Sequence, residues 1–498
     1  MLNQITPEQA GISSRQVEKF LRKLEQRGLA THDVLLMRGK DIFAEAYWKP
    51  FHKDFCHRQY SQTKSFVGVA VGLLVDDGKV ELDAPICSYF PEYDPNTLPE
   101  NLRKQTVRHM LTMETCGSPP SWFESEDPDR LHLYMTQNPA TIPSGLRWAY
   151  DSPGSQVLCT LVERVAGMPL FDFMNQRIFR HLDAFHTASI LKTKNDDSWG
   201  DSALLCTARD MAAFARFVMD HGKWEGKQLM SESYLRAATA PLVSNDKMGF
   251  SSFDSSGYGY QIWALGEEGF FFNGMGAQMT FALWEQDLIF VINSDDQGYA
   301  ESKVQIYNAF RDEIVDHLAD HPLPEDMDAY RSLQAYIDTL QLQVIGGHKP
   351  ELFCQYAKEL DGKVWVREQP HAKSGISRFS VHFTAEDEGE LRYTNAQGNK
   401  VLKFGIGKNV FGKFPEEGYS TDHGGLQNTE GYLYDCAVSA AWREPRKLEL
   451  KVQIIDRYFG NGLFTVSFDG ENAVLRMLAT AENFMQTYSG AVAAKLEK

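Results

Sequence analysis

One stretch constrains this chain more than any other, the run from Tyr60 to Gly78, YSQTKSFVGVAVGLLVDDG. Thr63 and Lys64 open a helix that is apolar on nearly every side, and Asp76-Asp77-Gly78 closes it with glycine where a left-handed cap is wanted. A helix without a polar face has to be buried, so the fold must be large enough to wrap it. Gly68 and Gly72, four apart on one face, admit close approach by another element. Ser61 and Lys64 stand at the mouth of this helix. Residues three apart share a helix face, so the Lys64 amine reaches the Ser61 hydroxyl and places a base beside a nucleophile. Burial and the positive end of the helix dipole both disfavour an ammonium there, as a base requires. Backbone N–H groups at the same helix start, that of Ser61 among them, lack intrahelical partners and suit an oxyanion. The pattern Ser-x-x-Lys is common by itself. A second copy, Ser244-Asn245-Asp246-Lys247, lies in a polar stretch with no helix behind it and is read as non-catalytic.

With 498 residues the chain is long enough for two or three domains. Its net charge of −17 argues against nucleic acid or an anionic membrane as the main partner. The N-terminus has no basic and apolar leader pattern, and no apolar run is long enough to span a bilayer, so a soluble, cytoplasmic protein is expected. Seven scattered cysteines without a C-x-x-C pair read as reduced thiols rather than a metal site, and neither cofactor nor metal is expected.

The periodicity predicts a helix over 13–28, capped by Ser13 or Ser14, with Val17, Phe20, Leu21 and Leu24 inward. A hairpin follows, pairing Val34–Met37 with Ile42–Tyr47. Residues 100–240 are mostly helical. Within them, a Pro/Gly-rich loop presents Tyr150 and Ser152 ahead of a helix from Val157 to Ala166, and Thr207 with Asp210 reads as a structural cap for the next helix. Strands are expected at Tyr258–Trp263, in a hairpin over Phe270–Leu283, and at Leu288–Asn293, followed by a helix from about Ser302 to Ala319. An acidic, proline-bearing linker and a helix (321–344) lead into a last third, 345–498, whose clean alternation predicts an antiparallel sandwich or barrel-like domain with a structural or pocket-covering role.

Three signals in order, Ser61-Gln62-Thr63-Lys64, Tyr150-Asp151-Ser152 and a strand ending Asn273-Gly274-Met275-Gly276, resemble the motif set of the penicillin-binding-protein and β-lactamase superfamily, closest to its class C and esterase branch. The surrounding phrases Met110-Leu111-Thr112-Met113, Thr207-Ala208-Arg209-Asp210-Met211 and Tyr258-Gly259-Tyr260 are similar to it too, and the resemblance spans about residues 5 to 320. It implies an α+β fold, with an antiparallel sheet flanked by helices and an all-helical lobe beside it. Residues 1–320 would form the hydrolase domain, and the C-terminal all-β domain lies outside the resemblance.

Residue by residue, the resemblance makes Ser61 the acylated nucleophile, Lys64 its base and Tyr150 the group that shuttles protons to the leaving group and the deacylating water. The Ser61 and Met275 N–H groups would form the oxyanion hole, with Ser152, Asn273, Gly274, Trp122 and Phe272 contacting substrate. The third motif departs from the family. Where relatives carry Lys-Thr-Gly or His-x-Gly, this chain has Phe272-Asn273-Gly274, which supplies no cation for a substrate carboxylate. Such a contact is worth roughly 1.5–3 kcal/mol. A pocket expected from Phe271, Phe272, Trp122 and Phe123 then favours a neutral acyl group, hence an esterase or small-amide hydrolase acting on small molecules. The alternatives are β-lactamase or D-alanyl peptidase activity, and a catalytically silent binding protein. Gly200-Asp201-Ser202 imitates another lipase signature but lies mid-chain after a polar loop, and is set aside.

Overall fold

The computed structural model describes residues 2–122, 125, 127–246, 253–346, 350–368, 375–417, 431–479 and 490–498. These fall into two compact units that divide between Gln341 and Leu342.

The first unit is built on a seven-stranded sheet. Its strands are β1 (Asn3–Gln4), β2 (Thr31–Arg38), β3 (Asp41–Tyr47), β4 (Trp263–Ala264), β5 (Gly269–Gly274), β6 (Gln278–Leu283) and β7 (Leu288–Ser294), in the spatial order β1-β3-β2-β7-β6-β5-β4. All neighbours are antiparallel except β1 with β3. Helices α1 (Ser14–Gln26), α2 (Thr63–Asp76), α3 (Ser152–Ala166), α4 (Ala208–Met219) and α5 (Ser302–Glu313) frame it. Ser13 caps α1 by accepting from the Gln16 N–H, and Val17, Phe20, Leu21 and Leu24 are buried as their spacing requires.

Both faces of the sheet are covered, which alternation along β5 makes plain. Phe270 and Phe272 join the apolar cluster that contains α2 and α4, whereas Phe271 joins the one that contains α1 and α5. Strand β4 pairs only with Phe270 and Phe271. Phe272, Asn273 and Gly274 therefore have no strand partner on that edge among the described residues.

The expected strand over Tyr258–Trp263 is shorter than its alternation suggested. Gln261 takes φ +59, which breaks the extended run, and its amide and side chain are spent on the Leu111 and Met110 carbonyls and on Ser155. Regular strand begins only at Trp263. The helix expected to reach Ala319 ends at Glu313, and one further turn follows at Val315–His317.

Among the described residues, the second unit carries a helix, Pro350–Leu360, and ten strands between Val364 and Leu496. Nine neighbouring pairs form one continuous sheet. Strand Gly398–Ile406 also pairs in parallel with Leu433–Glu444, through Gly405 with Ser439 and Ile406 with Ala440. That pairing closes the sheet on itself, so of the sandwich and barrel alternatives the chain forms a closed barrel.

Candidate active site

Helix α2 is as buried as its sequence demands, with every residue from Thr63 to Leu74 inside. A Cβ added at Gly68 would lie 2.6 Å from the Tyr260 carbonyl oxygen, and one at Gly72 would lie 2.3 Å from the Tyr234 ring. Hydrogen at these two positions lets the segment around Tyr260 and the Tyr234 helix close on α2. Gly78 supplies the left-handed stop at φ +67.

Ser61 precedes α2 in a single tight turn, Tyr60–Gln62. Tyr60, the residue before it, is held at φ +47 although it carries a side chain, and it is fully buried. Backbone strain of this kind persists only where surrounding contacts over-determine it. Here the Tyr60 carbonyl accepts from Thr63 Oγ1 at 2.6 Å, and the Arg58 guanidinium lies 4.3 Å above the Tyr60 ring.

The geometry joins the first two motifs. Lys64 Nζ donates to Ser61 Oγ at 2.9 Å, and the same Nζ lies 5.2 Å from the centre of the Tyr150 ring. The Tyr150 ring stacks on Trp263 at 5.8 Å, which ties it to the edge strand β4. Asp151, next in sequence, caps α3 by accepting from the Gly154 N–H at 2.9 Å, and it also accepts from Thr115 and Ser118. Burial drives its carboxyl upward, opposed by the Ser118, Gly154 and Thr115 bonds and by Lys64.

Ser152, expected to contact substrate, is the first residue of α3. Lys64 Nζ also donates to the Asp201 carbonyl at 2.6 Å. The Asp201 carboxylate lies 3.9 Å from the same nitrogen. The next residue, Ser202, accepts from Arg58 through its carbonyl and its hydroxyl.

At the strand end, an added Cβ on Gly274 would lie 2.5 Å from the Gln59 carbonyl, so glycine there lets β5 approach the turn that carries Ser61. Met275 follows, and its carbonyl accepts from Gln278 Nε2 at 2.5 Å. Asn273 is 7% exposed and its Oδ1 accepts from Lys303 Nζ at 2.6 Å. A cation therefore does stand at the third motif, contrary to the expectation from its own residues, because α5 delivers it from thirty positions downstream. Burial lowers the Lys303 ammonium to about 8, against the pull of Asp254.

Among the described residues, the aromatic side chains expected as pocket walls are core residues instead. Phe272 is 0% exposed and packs on Phe214 of α4 at 5.6 Å, and Phe271 is equally buried on the other face. A strand covered on both faces by helices leaves neither of these two rings for a ligand. Trp122 is 5% exposed, sits in the helical core, and faces the Arg130 guanidinium at 5.2 Å. Phe123 and Lys247 lie outside the described residues, and Ser244 is exposed and bonds Asp246. Among the described residues no cluster of His, Cys, Asp and Glu would hold a metal ion, and no helix is long and apolar enough to cross a membrane.

Residues 16–311 match the β-lactamase family model. A 6-aminohexanoate-dimer hydrolase from Paenarthrobacter ureafaciens is 28% identical over 275 residues, 51% of this chain and 70% of the relative. Esterase EstB from Burkholderia gladioli is 27% identical over 186 residues, covering 32% of this chain and 47% of the esterase. A solved structure from Bacillus anthracis, named for 6-aminohexanoate-dimer hydrolase, superposes with a TM-score of 0.52 at 18% identity, over 65% of this chain and 88% of that one, and so shares the fold.

Proposed function

The chain belongs to the β-lactamase family, and from that premise we propose that it is a serine hydrolase that opens an ester or a small amide through an acyl-enzyme on Ser61. The observation that carries the reading is the 2.9 Å bond between Lys64 Nζ and Ser61 Oγ at the start of a fully buried helix. Two relatives support the substrate class, one named as a hydrolase of the 6-aminohexanoate dimer and one as an esterase.

In this reading Ser61 Oγ attacks the carbonyl carbon while Lys64 Nζ takes its proton. The oxyanion that forms is met by the N–H groups of Ser61 and Met275, a pairing that the close approach of Gly274 to Gln59 supports. Tyr150, against Lys64, passes a proton to the leaving group and later receives one from the water that frees the acyl group. The attacking bond and the leaving bond are made and broken on the same carbonyl carbon, so water is the only other reactant.

A second reading, hydrolysis of a β-lactam or of a peptide next to its C-terminus, draws on one observation. Lys303 on Asn273 returns positive charge to the third motif and would attract a substrate carboxylate.

A fluorophosphonate probe tests the first claim. The wild-type chain is expected to take up label on Ser61 and to hydrolyse short-chain p-nitrophenyl esters, and Ser61→Ala to do neither. A wild-type protein that takes no label is a binding protein, and the proposal fails. Nitrocefin turned over faster than the esters would move the choice to the second reading.

A further inference from the structure

We propose that Asp201 is a positioning residue of the Ser61 site that accepts the surplus proton of Lys64, so that the amine needed to activate Ser61 forms without a proton leaving the protein. The proposal rests on the reading of Ser61 and Lys64 given above.

The loop that carries Asp201 is fastened to the nucleophile turn. The Leu204 N–H donates to Thr63 Oγ1 at 3.1 Å and the Gln59 N–H donates to the Leu204 carbonyl at 2.8 Å. Asp201 thereby meets Lys64 twice, through its carbonyl at 2.6 Å and its carboxylate Oδ2 at 3.9 Å. Both side chains are almost completely enclosed, at 2% exposure for Lys64 and 4% for Asp201. The second carboxylate oxygen, Oδ1, is buried and has no hydrogen-bond partner among the described residues.

An ionised carboxylate with a buried, unanswered oxygen is expensive, and a neutral carboxyl in the same place is much less so. Burial accordingly pushes Asp201 toward the protonated form, while the charge of Lys64, a hydrogen bond from Trp199, the charge of Arg58 and its own backbone N–H favour the ion without reversing that direction. In a site this dry, ammonium beside carboxylate and amine beside carboxylic acid share one proton, and they lie closer in energy than in water because both charges of the ion pair are desolvated.

The step balances within the pair. Closing the Nζ to Oδ2 gap by about 1 Å reaches hydrogen-bond range. One Nζ–H bond breaks, its electron pair stays on nitrogen, and an Oδ2–H bond forms. That lone pair then takes the Ser61 proton as Oγ bonds the carbonyl carbon.

The other groups around this pair are Asp151 and Cys159 on α3, Tyr150 before it, Arg58 on the strand before Ser61, and Arg130 on the Arg130–Gln137 helix. Asp151 is the competing acceptor. Three donors already satisfy its carboxylate, from Gly154, Thr115 and Ser118. Asp201 alone of the two keeps an oxygen open.

The test is the pH profile of Ser61 acylation by the fluorophosphonate probe and by a p-nitrophenyl ester, in the full chain and in Asp201→Asn and Asp201→Ser, each checked for a cooperative unfolding transition. Without the carboxyl, Lys64 must release its proton to solvent. The acid limb is expected to move to higher pH by a unit or more, with acylation near the foot of that limb falling at least tenfold and recovering at alkaline pH. An acid limb that stays in place, or that moves to lower pH as it would if the carboxylate only stabilised an ammonium, overturns the proposal. So does a folded variant that is slower by one factor at every pH, which marks a structural role. Asp201→Ser, with the smaller side chain, decides the matter where Asp201→Asn does not fold. Absence of label in the wild type would instead defeat the Ser61 reading itself.

Discussion

The two ends of the candidate site reach a similar contact by different routes. At the mouth of α2, Lys64 meets Ser61 at 2.9 Å from three residues away along one helix. At the end of β5, Lys303 meets Asn273 at 2.6 Å from thirty residues away, across from a different helix. The first lysine is enclosed beside a carboxylate that is enclosed as well, whereas the second keeps some of its surface exposed while its amine is desolvated enough to be driven down to about 8. In the proposed reading, local spacing builds the part of the site that does chemistry, and tertiary folding supplies the charge that tunes which substrate comes to it.

If that division of labour is right, Lys64→Met is the most damaging change to the site after loss of Ser61 itself. Methionine keeps much of the volume and removes the base, so kcat/KM for a p-nitrophenyl ester should fall by about 10³-fold. Lys303→Met should leave a neutral ester nearly untouched. Comparable losses from both substitutions would break the comparison, because the two lysines would then serve the same step.

The same contrast explains what the sequence made legible. The helix at 63–76, the Ser13 cap and the Thr207–Asp210 capping box all depend on residues within a few positions of each other, and each is found where the spacing placed it. Asp201 was not legible, because its neighbour Lys64 is 137 residues earlier and its own surroundings read as a polar loop. Lys303 was not legible either, because its partner Asn273 lies thirty residues earlier on a strand. The aromatic residues of β5 misled for a physical reason. An apolar run says that a strand is covered, and it does not say whether the cover is a ligand or, as for Phe271 and Phe272, helices on both faces. Closure of the C-terminal barrel likewise rests on one parallel pairing between strands more than thirty residues apart.

An intermediate effect separates holding the site from running it. Gly68→Ala puts a methyl group 2.6 Å from a backbone oxygen that cannot rotate away, and overpacking of this kind costs about 1–3 kcal/mol. The midpoint of urea unfolding should fall accordingly. The acid limb of acylation should stay where it is, since no charged group has moved. A shifted limb in Gly68→Ala would mean that packing of α2 sets the protonation of Lys64, and the local end of the site would be less self-contained than its geometry suggests.

The smallest effect is the sharpest test of the strand end. Lys303→Met should lower the preference for an ester bearing an acyl carboxylate over its neutral isostere by about fivefold, close to 1 kcal/mol, because Asp254 already offsets part of the charge. The wild type should show the same loss without mutation. Its ammonium is present below about 8 and is given up above it, so the preference fades as pH rises through that value. Stability runs the other way. An unfolded lysine keeps its proton up to the usual 10.5, so between about 8 and 10.5 the unfolded chain binds more protons than the folded one, and the folded state gains as pH rises across that window. Lys303→Met removes both slopes together. A preference that ignores pH and survives the substitution would mean that Lys303 only braces Asn273, leaving Lys64 as the one lysine that acts on substrate.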